Sequence, residues 1–244
     1  MYLLDANDPF PVFPDPEQAA SPEGIVAIGG DLDVARLVQA YRQGIFPWYN
    51  EYEPILWWSP DPRLVLYPEQ LHISRSLRKT LRRTTLGVTF DADFAGVIRG
   101  CAEPRGQGPE GAGTWLDPYM IAAYQRLHAH GLAHSVEAWD PAGNLVGGLY
   151  GLALGRAFFG ESMFARATDA SKVAFVHAVR ALARHGFQLI DCQIYSDHLA
   201  RFGAIEVSRR RFLSELDRAL AGPEPAGPWP AAPRQDLPQR PAAD

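Results

Sequence analysis

The sequence predicts an α/β protein of the α+β kind, in which a small N-terminal domain precedes a main domain built on a mostly antiparallel sheet. Three observations predict it. Two glycine-rich apolar runs, 146–154 and 157–164, are joined by Gly155-Arg156, a hairpin signal. A helical pattern follows, with Asp169 or Ser171 as N-cap, Val173, Val176, Val179 and Leu182 on its apolar face, and Gly186 as its stop. Residues 189–195 then read as a last strand, while Pro60-Asp61-Pro62 disfavours regular structure and divides 1–62 from 63–221.

The composition of the 244 residues, 47% hydrophobic and 21% charged, is that of a soluble globular chain. No run reaches the roughly 18 apolar residues of a membrane span, and the first 13 residues carry acids and prolines instead of a signal peptide's basic start. Two cysteines, Cys101 and Cys192, do not make a disulfide framework. The expectation is a cytoplasmic monomer that binds no membrane. A net charge of −5 gives no global attraction to nucleic acid, so RNA contact needs a local patch.

Along the chain, 1–24 is proline-rich and expected to be extended. Gly29-Gly30-Asp31 is a turn without phosphate-loop spacing, and Asp33 starts a helix with Val34, Leu37, Val38 and Tyr41 on one face. Trp48, Trp57 and Trp58 lie within eleven residues, interleaved with Tyr49 and Tyr52. They read as a small aromatic core or as faces on which a base can stack. Residues 72–85 form the one basic cluster. Arg75, Arg78, Lys79, Arg82 and Arg83 share a helical face, Ile73, Leu77 and Leu81 mark the buried one, and no acid occurs from 72 to 86. A helix that only needs solubility mixes signs, so this face points to phosphate contact.

A strand and short helix are expected over 89–101 and a glycine-rich loop over 106–113. A helix capped by Asp117-Pro118 and a strand over 134–140 follow. His128, His130 and His134 lack a nearby cysteine and straddle a helix stop, so no metal is expected. Helical pieces are expected near 198–202 and over 211–220, and the Pro/Ala-rich 222–244 is expected to be disordered. By strand parity Glu161 shares a face with Phe159 and Met163, and Asp191 with Gln193. Carboxylates set among apolar side chains are costly unless paired, so these acids on neighbouring strands mark a candidate site.

The words GGLYG, GESMF, ASK and LIDCQ, with FPWY and LWWSPDPR upstream, occur in order from about 13 to 212. In these the chain resembles the leucyl/phenylalanyl-tRNA–protein transferase family. The resemblance implies an acetyltransferase-like (GNAT-type) main domain, which the order strand, strand, strand, helix, strand from 133 onward also suggests. It implies transfer of leucine or phenylalanine, with methionine also possible, from charged tRNA to the N-terminal Arg or Lys of an acceptor protein. No cofactor is implied, because the donor is an activated ester. Asp191, Gln193 and Glu161 are the expected catalytic group, forming an acidic pocket in which Asp191 is base or amine anchor. Leu149, Phe159 and Met163 are the expected walls of the donor side-chain pocket. Trp48 and Trp115 are placed near the terminal adenosine, Ser171 of ASK at the helix start is a substrate-binding residue through a phosphate contact or else a cap, and Arg75, Arg78, Lys79, Arg82 and Arg83 lie on tRNA.

Three rivals stand beside this reading. A CoA-dependent acetyltransferase needs a glycine-containing pyrophosphate loop, whereas 166–171 has no glycine and carries an acid. A non-catalytic RNA-binding protein leaves Glu161, Asp191 and Gln193 unused. A cysteine enzyme needs Cys192 beside them, and parity points it to the other face. Leu149 and Ala178 occupy positions where methionine and bulkier residues also occur in such enzymes, which leaves the choice between leucine and phenylalanine open.

Overall fold

A computed structural model describes residues 2–8, 12–19, 21, 23–50, 52–104 and 116–222. The expectations for Trp115, for the loop 106–113 and for the tail beyond Gly222 lie outside the described residues.

The first unit carries β1 (Tyr2–Leu4), β2 (Ile25–Gly29), α1 (Val34–Arg42), β3 (Phe46–Pro47) and β4 (Leu56–Trp58), its strands ordered β1-β2-β4-β3. Sequence reading finds only α1 here. The strands are too short to show a period, and β2 reads as a continuous apolar run. The aromatic cluster splits by depth. Trp57 is fully buried and its Nε1 donates to the Gly29 carbonyl, whereas Trp48 is 41% exposed.

The rest of the chain runs β5 (Arg63–Leu66), α2 (Arg75–Arg83), β6 (Gly87–Phe90), α3 (Phe94–Ala102), α4 (Pro118–Ala129), β7 (Ala133–Trp139), β8 (Leu145–Leu154), β9 (Ala157–Ala165), α5 (Ala170–Arg184), β10 (Leu189–Gln193), α6 (Asp197–Ala200), β11 (Ile205–Val207) and α7 (Arg209–Ala221). Local chemistry fixes several ends. Ser74, Asp93, Asp117 and Ser208 each accept a backbone N–H of the first turn they cap, and Gly131 and Gly186 follow α4 and α5 at φ +71° and +78°. Asp169 precedes α5 in a left-handed conformation but makes no capping bond.

The seven strands are ordered β11-β5-β10-β9-β8-β7-β6, and every pairing is antiparallel except β9 with β10. The meander, helix and last strand follow the expected order, with α5 as the crossover that a parallel pair requires. β5 and β11, unforeseen, extend the sheet beyond β10. α2 and α5 cover one face, while α3, α4, α7 and the first unit cover the other in one continuous apolar core. The glycines of GGLYG allow close approach: a Cβ on Gly147 would stand 2.7 Å from that of Ala170 on α5, and one on Gly151 would strike the Phe159 carbonyl.

Candidate functional site

The site forms where the parallel pair comes apart. β9 and β10 pair only through Ala157–Leu189, Phe158–Ile190 and Phe159–Asp191, after which both strands turn irregular. In β9 the register against β8 slips between Gly160 and Ser162, leaving Glu161 as an extra residue. In β10 the register against β5 slips between Asp191 and Gln193, and Gln193 takes φ +64°.

That bulge corrects the expected wall. Met163 lies on the face of Phe158, and Phe159 points to the opposite core, edge-on to the Tyr41 ring at 5.1 Å. A cavity of about 670 Å³ opens in the fork, within the usual size of small-ligand pockets, and Leu149, Phe158, Met163, Phe175, Ala178 and Ile190 line it. Ser171 and Cys192 also line it, as does Arg166, which pairs with Glu103 at the same cavity. Phe158 thus takes the place expected for Phe159. A smaller groove of about 170 Å³ lies beside it, between Phe46, Pro47, Trp48 and Ile194. Glu161 and Gln193 line both spaces.

Glu161 is tightly held. Tyr41 Oη donates to its Oε1 at 2.7 Å, Gln193 Nε2 to the same oxygen at 3.0 Å, and Tyr124 Oη to Oε2 at 2.7 Å. The two phenol oxygens are 2.6 Å apart. Burial pushes the Glu161 carboxyl up to about 7, with the Asp191 charge adding to it, against the pull of its three hydrogen bonds. Burial, then the Glu161 charge, holds both tyrosines far above their ordinary value, so they remain phenols.

Asp191 is the main correction to the expected site. It is fully buried and lines neither space; Arg63 Nε and Nη2 bond its two oxygens at 2.8 and 2.7 Å. The backbone N–H of Gln193 donates to Asp191 Oδ1 at 2.9 Å. An acid closed off in this way faces neither space, so of the two carboxylates expected in an acidic pocket only Glu161 lines it. Arg63 was missed, because it falls on a strand hidden behind the Pro-Asp-Pro run. Tyr41 reads from sequence only as one of the apolar face of α1, and nothing in the sequence singles out Tyr124.

The other expected residues are found as follows. Trp48 stands at the mouth of the smaller groove, its ring tilted against Trp58 at 5.6 Å. Arg75, Arg78, Lys79, Arg82 and Arg83 are all exposed on α2, and none forms an ion pair among the described residues. Burial, with the Asp191 charge next, pushes the Cys192 thiol far above its ordinary range, which makes it a poor nucleophile. At the start of α5, Asp169 is held by Lys172 Nζ at 2.6 Å and Thr80 Oγ1 at 3.3 Å, which puts a negative charge beside the end where a pyrophosphate would bind. His134 bonds Asp91 at 2.7 Å, while His128 bonds the Ala133 carbonyl and stacks on Phe94.

An apolar pocket and an aromatic-edged groove that meet at one hydrogen-bonded carboxylate give room for two ligands side by side. The family model for leucyl/phenylalanyl-tRNA protein transferase matches residues 65–217, and that of the same family's N-terminal domain matches 30–61. A leucyl/phenylalanyl-tRNA–protein transferase of Syntrophobacter fumaroxidans is 61% identical over 205 residues, 84% of this chain and 86% of that protein. One from Alkalilimnicola ehrlichii is 54% identical over 230 residues, 94% of this chain and 88% of that protein. The chain belongs to the leucyl/phenylalanyl-tRNA protein transferase family. Among solved structures, a GCN5-related N-acetyltransferase from Kribbella flavida is similar at 11% identity and a TM-score of 0.38, covering 71% of this chain and 60% of that one.

Proposed function

We propose that the protein moves leucine or phenylalanine from aminoacyl-tRNA to the α-amine of acceptor proteins beginning with Arg or Lys, which marks them for degradation. The junction of the two spaces at Glu161 and Gln193 is the observation that carries this reading. The donor side chain enters the apolar cavity, its adenosine lies toward Trp48, and its ester is thereby brought to the junction. The acceptor amine approaches Glu161. Its nitrogen attacks the ester carbonyl, a C–N bond forms, the C–O bond to the ribose breaks, the nitrogen loses a proton and the ribose oxygen gains one.

Glu161 suits the proton step. A carboxyl near 7 accepts a proton from an amine of ordinary pKa about 7.7–8.0 far more readily than one near 4. Gln193 orients Glu161 and offers its amide to the amine or ester oxygen, so much of the rate comes from positioning. The negative group at the junction also favours a cationic first residue on the acceptor. The exposed cations of α2 meet tRNA phosphates, giving an acidic protein its local purchase on RNA. The protein acts as a monomer, in the cytoplasm where charged tRNA is found.

The test mixes the protein with labelled leucyl-tRNA and peptides beginning with Arg, Lys, Asp or acetylated Arg. Label is expected on the first two only. Equal labelling of the Arg and Asp peptides would remove the acceptor assignment, and no labelling of any peptide would remove the function.

A further inference from the structure

Arg63 is fully buried, yet it touches two of the strands that frame the junction, β3 and β10, as well as α7. Its guanidinium lies over the Phe46 ring of β3 at 4.8 Å and the Phe212 ring of α7 at 4.4 Å, and its fork closes on Asp191 of β10. Its Nη1 has no hydrogen-bond partner among the described residues, so its charge is directed at Asp191.

We propose that Arg63 is a positioning residue for the transfer, acting through Asp191 to hold Gln193 against Glu161 and through Phe46 to fix the chain leading to Trp48. The inference rests on the function proposed above. Two parallel N–H···O bonds fix the plane of the Asp191 carboxylate as a single charge–charge contact would not. The Asp191 oxygen that receives Arg63 Nε also receives the Gln193 N–H. That bond holds Gln193 in the left-handed region, which side-chain-bearing residues enter at a cost, and from there its Nε2 reaches Glu161 Oε1. Two residues beyond Phe46, Trp48 edges the groove that Glu161 and Gln193 share. One guanidinium thus sets both the residue that faces the amine and the chain that leads to the donor side. A fully buried ion pair adds little net stability over apolar residues of like volume, so its main consequence here is geometry.

That last point supplies the test. Arg63→Met and Asp191→Leu are introduced together in the full chain, replacing the pair with apolar groups and leaving no charge unmatched. The expected variant melts at or above the parent temperature, binds leucyl-tRNA as the parent does, and keeps its peptide KM. Its single-turnover rate at saturating Arg-peptide should fall about 10²-fold, the scale expected of a misplacement near 1 Å. A folded double variant within threefold of the parent rate would overturn the proposal. If it does not fold, Arg63→Lys decides the matter, since lysine keeps the charge without the fork. A kcat about tenfold lower at unchanged peptide KM is expected, and a parental kcat overturns it. The parent in the same assay separates the two claims: no transfer by the parent removes the function and this role with it, whereas parental transfer with an equally active variant removes only the role of Arg63.

Discussion

Replacing Glu161 with glutamine should give a protein that is more stable above neutral pH and nearly inactive. Glutamine keeps one acceptor oxygen, for Tyr41 and Gln193, turns the other position into an amide that donates to Tyr124 Oη, and carries no charge. The rise of the Glu161 carboxyl from 4.5 to about 7 corresponds to about 3 kcal/mol. Its edge open to the cavity lowers this to about 2 kcal/mol. The sign follows from proton binding. Because the folded state binds the proton more tightly, stability is undiminished below 4.5, falls as pH rises, and has lost this amount above about 7. Glutamine removes that loss, so the variant should match the parent at pH 5 and melt about 4–8 °C higher at pH 8. Its transfer rate should drop about 10²-fold or more, and the acid limb of the pH–rate profile, centred near 7 in the parent, should move up to the amine's own range of about 7.7–8.0. Melting curves at the two pH values and single-turnover transfer across pH 5.5–9 are the assays. Equal melting shifts at pH 5 and pH 8, or an acid limb still centred near 7, would refute the reasoning.

Asp191→Asn should destabilise the fold by about 3–5 kcal/mol in urea unfolding, because it leaves the Arg63 charge buried without its partner. Replacing Arg78 and Arg82 with alanine should weaken use of charged tRNA and flatten its salt slope by about one unit per lost phosphate contact. A minimal aminoacyl-adenosine donor, too short to reach α2, should be used almost as before. Ala178→Leu should fill the floor of the donor cavity and lower the ratio of phenylalanine to leucine transfer at least tenfold, as competing-donor assays would report.

The long elements were legible because their signals are local. The β8–β9 hairpin shows its turn at Gly155-Arg156, α2 shows its apolar spacing, and α4 and α5 show their stops at Gly131 and Gly186. The expected pocket wall failed at one residue. Strand parity holds until a bulge inserts Glu161, and no feature of GESMF announces a bulge, so Phe159 stood in for Phe158. Asp191 was found, but its burial against Arg63 was not legible, for a related reason. Its partner Arg63 is 128 residues away on a four-residue strand, and only the tertiary pairing of β5 with β10 brings them together. Tyr41 and Tyr124 converge on Glu161 from helices 83 residues apart, a juxtaposition that periodicity cannot express.

The most direct measurement is a crystal structure with a non-hydrolysable leucyl-adenosine, amide-linked in place of the ester. The account predicts the leucine side chain between Leu149, Phe158 and Met163, the adenine toward Trp48, and the carbonyl within hydrogen-bond reach of Gln193 or Glu161, with the Arg63–Asp191 pair closed. A leucine side chain lying outside the cavity, or a donor contacting an Asp191 that has parted from Arg63, would contradict it.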